Sequence, residues 1–394
     1  MTAPSNAATP PVWLAGGDCR LEDFRALVER STDPRDYPHA ECVEQNVPVY
    51  GPRLGGLCRA AEQRRAVQAE LVRALLHGPG IVVCQGAFAD TAVIDRATDA
   101  FAALIAEQHT SGGTSGDHFA KPGANDRVWN ALEKLAVAEP SVFADYYAND
   151  VIALVCAAWL GPNYQMTSAV NVVNPGGAAQ TPHRDYHLGF MPPGLAEQFP
   201  AHVHRLSPVL TLQGAVAQCD MPTESGPTQY LPYSQHYLPG YLAAPRPEFR
   251  GYFDAHRVQL PLAKGDAVFF NPALFHAAGH NRTADVKRMA NLLQISSAFG
   301  RALEAVDRGR MCEALFPTLR QRAAAGAGER ELRNIIAAAA QSYPFPTNLD
   351  REAPVGGLNP ETQSELLWRA LREGWDTADL VKALRAHARR HTTG

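Results

Sequence analysis

The chain has 394 residues, 46% hydrophobic and 19% charged, with a formal net charge of -4, which allows one large core with helical additions. No Lys/Arg run marks a nucleic-acid surface, no apolar stretch approaches the roughly 20 residues of a membrane span, and the seven cysteines form no CxxC pair. Those features argue against nucleic-acid, membrane, disulfide-scaffold and Cys-zinc classes; with no signal-peptide pattern in Met1–Pro11, a cytoplasmic protein is expected.

Residues 1–17 read as a loose tail, followed by a short amphipathic helix over 21–30. The Pro-, Gly- and Asp-rich stretch 31–57 reads as irregular. Val67, Leu71, Leu75 and Leu76 share one face of a helix expected over 59–76, which His77-Gly78-Pro79-Gly80 stops. Ile81–Cys84 reads as a buried strand, and Asp90 or Thr91 caps a helix running to about Gln108. The Gly-, Ser- and Thr-rich stretch 110–126 reads as a loop, with His118 and Lys121 on a candidate lid. Two helices follow, over 127–137 and 141–160.

From Tyr164 to Gly300 the texture changes to short β-prone runs separated by Pro and Gly: 165–173, 183–190, 209–219, 228–231, 257–262, 267–270, 274–277 and 288–299. Such spacing predicts a sandwich or barrel. After Gly300 the pattern is helical again, with a Pro-containing break at 343–360 and a basic helix near 362–391.

The chemistry centres on Gln180-Thr181-Pro182-His183-Arg184-Asp185. Residues i and i+2 of a strand share a face, so His183 and Asp185 would present an imidazole nitrogen and a carboxylate oxygen side by side. One HxD among fourteen histidines is weak evidence. A second segment strengthens it: the run from Lys264 to Asn281 offers a Gly-Asp turn, an apolar strand, a Pro break and a strand carrying His276. Two imidazoles and one carboxylate make a facial triad that leaves metal positions open. Arg288 opens the next β-prone run and suits the far carboxylate of a dicarboxylate co-substrate, with Lys287 as the competing cation.

Four motifs in order resemble the phytanoyl-CoA dioxygenase-like (PhyH) branch of the Fe(II)/2-oxoglutarate oxygenases, over roughly residues 70–300: the entry segment from His77 to Phe88, the HxD pair, the turn from Ser225 to His236, and Phe275-His276 to Asn281 with the Arg that follows. The turn departs from the family pattern, with Tyr233 where a glycine is usual and Gln235 inserted; Arg288 sits one residue further from its histidine than is usual. The resemblance implies a fold that is mainly β with flanking helices, built on a double-stranded β-helix (jelly-roll) core. It also implies Fe(II) held by His183, Asp185 and His276, with 2-oxoglutarate and O2 as co-substrates and succinate and CO2 as products. The expected organisation is a tail at 1–17, a dioxygenase domain at 18–300 (helical part 18–163, jelly-roll core 164–300) and a helical C-terminal extension at 301–394. The carboxylate at Asp185 argues against the halogenase variant, where a small residue makes room for chloride.

Asn171 and Gln180 are further candidates for binding the co-substrate, against plainer roles closing strand ladders. Thr228 or Gln229 could line the pocket, though turn packing is the simpler expectation. Arg184 should point away from the metal toward the surface, whereas His187 falls on the metal side. The His202/His204 pair reads as a loop or strand edge, His280 as solvated and Asn281 as a turn cap. The expected reaction is hydroxylation of a small or medium organic molecule; the residues leave its identity and the oligomeric state open. Two other readings remain: a non-catalytic jelly-roll binding protein, and a zinc hydrolase or isomerase on the same triad. Arg288 discriminates against the latter, because hydrolysis needs no dicarboxylate clamp.

Overall fold

The computed structural model describes residues 11–57, 59–110, 124–187 and 189–393. Among them the strands are β1 (Cys42–Glu44), β2 (Val47–Tyr50), β3 (Ile81–Cys84), β4 (Asn125–Val128), β5 (Gln165–Val173), β6 (Thr211–Ala217), β7 (Gln229–Leu231), β8 (Ala267–Phe270), β9 (Phe275–Ala277) and β10 (Arg288–Ser296). Eight form one mixed sheet in the order β1-β2-β3-β8-β6-β10-β5-β4, and β7 pairs with β9 in a second. Only β2 and β3 run parallel. Helices flank the large sheet, and the chain is 46% helical, so the expected mainly β balance is reversed by its flanking helices.

Strand alternation splits the large sheet into two chemical faces. Val82, Val170, Leu212, Val216, Phe269, Leu293 and Ile295 point into a core shared with Leu71, Phe101, Phe143, Leu154, Phe316 and Ile335 of the helices. The opposite residues, among them Val83, Ala215, Val268, Phe270 and Leu292, face Tyr230 of the smaller sheet and the neighbouring Leu260. The cavity described below lies between those faces. Its floor is set by β5 and β10, which pair over nine residues each from Gln165↔Ser296 to Val173↔Arg288.

A third cluster seals the outer face of the smaller sheet. Phe24, on the helix Leu21–Val28, packs against Tyr237, Phe249, Tyr252 and Phe275 with ring centroids 5.1–5.6 Å apart. Trp13 pairs with Pro200 and Leu14 is buried, so the last part of the predicted loose tail, from residue 11, is held against the body.

Several local expectations change. The stretch 31–57 contains the hairpin β1–β2 and a short helix, Leu54–Leu57. Positive φ at Gln45 and Asn46 makes the two-residue hairpin turn, a signal present in the sequence as a polar pair between apolar runs. The helix expected over 127–137 begins only at Ala131, because Asn125–Val128 pairs with β5 as an edge strand. The helix expected over 141–160 is two, Pro140–Tyr147 and Asp150–Leu160. Asn149 divides them: its Oδ1 accepts hydrogen bonds from the Val151 and Ile152 N–H groups, and its Nδ2 donates to Ala87 O. The final basic helix is likewise two, Gln363–Arg372 and Thr377–His391, separated at Gly374 with φ +70°. The runs 183–190 and 257–262 make only isolated bridges instead of strands. Among the described residues, no helix is long and apolar enough to cross a membrane.

Asn149→Ala removes a cap and a tether together. It should lower the unfolding free energy by about 1–2 kcal/mol, read from urea melts, with an unchanged transition slope.

Candidate metal centre

His183 and His276 come from distant parts of the chain and meet across an antiparallel bridge. Each backbone N–H donates to the other's carbonyl at 3.0 Å. The imidazole centroids then lie 4.3 Å apart. Each Nδ1 lies 2.9 Å from a carbonyl two residues earlier, Thr181 O for His183 and Leu274 O for His276. A carbonyl oxygen can only accept, so both protons sit on Nδ1 and both Nε2 atoms keep a free lone pair.

Those lone pairs converge on Asp185. His183 Nε2 is 3.9 Å from Asp185 Oδ1, and His276 Nε2 is 3.8 Å from Asp185 Oδ2. Asp185 is placed by its backbone N–H donating to Pro272 O and by Tyr241 Oη donating to its carbonyl. Gln213 Nε2 donates to Oδ2, while the buried Oδ1 has no hydrogen-bond partner. Burial, reinforced by His183, pushes the His276 imidazole down to about 4, so it is neutral at neutral pH. Two imidazoles and a carboxylate oxygen in want of a partner, all within 4.8 Å, suit a divalent cation.

The three side chains open onto a cavity of about 460 Å³. Arg288, Ala290, Leu292 and Gln294 line it from alternate positions of β10, and Asn171 from β5. Arg288 is buried; its Nη1 donates to Ser225 O at 3.2 Å and Gly279 O at 3.4 Å. Burial pulls its guanidinium down to about 10, which leaves it charged at neutral pH, and no carboxylate contributes to that shift. A buried cation so placed favours an anionic ligand. Lys287 is exposed and outside the cavity wall.

The other sequence candidates separate. Asn171 Oδ1 is buried with no partner in the cavity wall. Gln180 also lines the cavity, but its Oε1 accepts from Ala278 N–H and its N–H donates to Ala278 O, so it closes a ladder. Thr228 lines the cavity. Arg184 points away from the metal ligands as alternation requires, yet it is buried, not at the surface: it donates to Tyr237 O and Ser234 O beneath the Tyr241 ring. Its far side is the third core, not solvent, which a strand pattern alone does not reveal. His187 turns to Thr211 Oγ1 and is outside the cavity wall. His204 lies in the helix Ala201–Leu206, paired with Tyr186 Oη. His280 is exposed, and Asn281 caps its turn through Thr283 N–H. His118 and Lys121 lie outside the described residues. Sequence reasoning missed Gln213, Tyr241 and Phe190, whose ring meets the His183 ring edge-on at 5.1 Å.

Residues 61–290, more than half of the chain, match the phytanoyl-CoA dioxygenase (PhyH) family. The chain belongs to this family. A protein named Dioxygenase trt7, from Aspergillus terreus (strain NIH 2624 / FGSC A1156), is 31% identical over 141 residues; these cover 35% of this chain and 43% of that relative, less than half its length. Among solved structures, the chain is similar to the non-heme alpha ketoglutarate dependent epimerase SnoN from nogalamycin biosynthesis, at 19% identity over 59% of this chain and 82% of that one, with TM-score 0.41. It is also similar to the carbocyclase SnoK from the same biosynthesis, at 21% identity over 60% and 86%, with TM-score 0.43. Within this PhyH chain, Tyr233 stands where the glycine was expected and adopts φ +69°, the left-handed region that glycine enters without strain. A hydrogen bond of 2.6 Å between Tyr233 Oη and Thr32 Oγ1 helps hold it there.

Gln213→Leu removes the amide that orients Asp185 without touching a ligand atom. Divalent-metal affinity should fall about ten- to a hundredfold, measured by equilibrium dialysis with Co(II).

Proposed function

We propose that this PhyH-family protein is an Fe(II)/2-oxoglutarate-dependent dioxygenase that hydroxylates a small or medium organic molecule. The observation that carries the reading is the pairing, in one cavity, of the His183–Asp185–His276 cradle with the buried, carboxylate-free guanidinium of Arg288. A zinc hydrolase on the same three ligands has no use for that cation. Two sheets facing across a cavity, with His183↔His276 and Tyr230↔Val258 bridges widening the smaller one, support a double-stranded β-helix core.

His183 and His276 hold the metal through Nε2 and Asp185 through Oδ1, while the two Nδ1–H bonds fix the ring planes. Gln213 keeps the second carboxylate oxygen turned aside. Arg288 takes the distal carboxylate of 2-oxoglutarate, and the Asn171 amide N–H or the Thr228 hydroxyl donates to oxygen atoms along it. Ile81, Val83, Val268 and Phe270 line the same wall and exclude water from the reacting end. When bound, Fe(II) with O2 and 2-oxoglutarate supplies the oxidising chemistry, yielding succinate and CO2 and placing one oxygen atom on the substrate. The cytoplasm remains the proposed location.

Succinate release in aerated buffer with Fe(II) and 2-oxoglutarate tests this; no oxygen-dependent succinate at any metal supplied would sink it. His183→Ala and Asp185→Ala should each abolish release. Arg288→Ala should raise the 2-oxoglutarate KM about ten- to a hundredfold, the value of a charge-assisted pair, whereas Lys287→Ala should leave it unchanged.

A further inference from the structure

The C-terminal segment beyond the family match reaches back to the cavity. Leu303 and Glu304 line its wall although the match ends at residue 290. Leu303 joins Trp129 and Phe190 there, and all three are large apolar side chains left exposed, at 37%, 39% and 56%. Exposed apolar groups gathered on one cavity rim mark a surface that an apolar ligand covers.

Glu304 is the polar exception on that rim. Its Oε1 accepts from the Asn130 N–H at 2.7 Å, which fixes the carboxylate. Its Oε2 is buried and has no hydrogen-bond partner among the described residues. A buried acceptor left open costs free energy that a ligand donor recovers. Burial raises the Glu304 carboxyl above its ordinary range; against that act the Asn130 N–H and the positive charges of Lys134 and of Arg127, which lines the same cavity. Those cations disfavour an ammonium beside Glu304 and favour a neutral donor.

We propose that Glu304 is a specificity-determining residue: the prime substrate is an apolar, ring-sized molecule whose neutral hydroxyl donates to Glu304 Oε2 while its body lies against Trp129, Phe190 and Leu303. This rests on the oxygenase reading, since it assigns the substrate end of the same cavity. The carboxylate does not act on the reacting atoms; it sets which face of the substrate is presented to the metal.

Matched probes test it by binding, independently of turnover. Equilibrium dialysis of the full chain, with and without Co(II) and 2-oxoglutarate, would compare 2-naphthol, its methyl ether and 2-naphthylmethylamine. The naphthol should bind about tenfold more tightly than the ether, as one hydrogen bond to a charged acceptor provides. Glu304→Gln is isosteric, keeps an oxygen for Asn130 and turns an N–H, which naphthol and ether oxygens can both accept, toward the ligand; it should erase the preference with circular dichroism unchanged. Equal binding of naphthol and ether, a preference surviving Glu304→Gln, tightest binding of the amine, or no binding of any probe overturns the proposal. Retained discrimination without succinate formation would sink only the oxygenase reading. Succinate formation without discrimination would sink only the role of Glu304.

Discussion

Two reciprocal backbone hydrogen bonds, from His183 to His276 and back, are the constraint on which the site depends. They join a segment that is not a regular strand to β9, and the join brings the two imidazoles within ring contact. An isolated bridge of this kind has no ladder on either side to share its load. Its support comes from the flanks: Asp185 N–H bonds to Pro272 O on one side, and Gln180 exchanges bonds with Ala278 on the other. The metal cradle is therefore a property of pairing between segments rather than of either segment alone.

The arrangement also explains why polar groups are tolerated deep in the molecule. Arg184 and Arg288 are both buried cations, and both spend donors on carbonyl oxygens of loops. Arg184 is enclosed by Tyr241 and Phe275 and clamps the loop at Ser234–Tyr237 to the back of the metal segment. It is a structural cation. Arg288 faces the cavity, so the charge it retains is available to a ligand. The same residue type thus serves opposite ends because β-alternation and the bridge send the two side chains to different cores.

Helices account for much of the chain without contributing any of the three candidate metal ligands. Their packing on one face of the large sheet leaves the other face to the cavity. Arg308, buried at the start of the helix Arg308–Ala324, donates to Met166 O on β5 and to Ala338 O and Ala339 O. That tie anchors the C-terminal region to the floor of the site and keeps residues 303 and 304 at the rim.

The sequence paired His183 with Asp185, because a spacing of two is a local property; His276 joined them as a candidate through its own motif and the family resemblance, and Arg288 stood at the head of a β-prone run. Most strand positions in the 164–300 region, though not 183–190 or 257–262, were legible for the same reason: alternation and Pro/Gly punctuation are written residue by residue. Tertiary structure alone set Arg288, buried in the cavity wall, apart from Lys287, exposed outside it, since neighbours on a strand differ in the face they occupy. It alone revealed Gln213 behind Asp185 and Glu304 at the rim, which reach the site from other elements. It also turned Arg184 from an expected surface residue into a buried one. A local pattern states which way a side chain points; only the packed chain states what waits there.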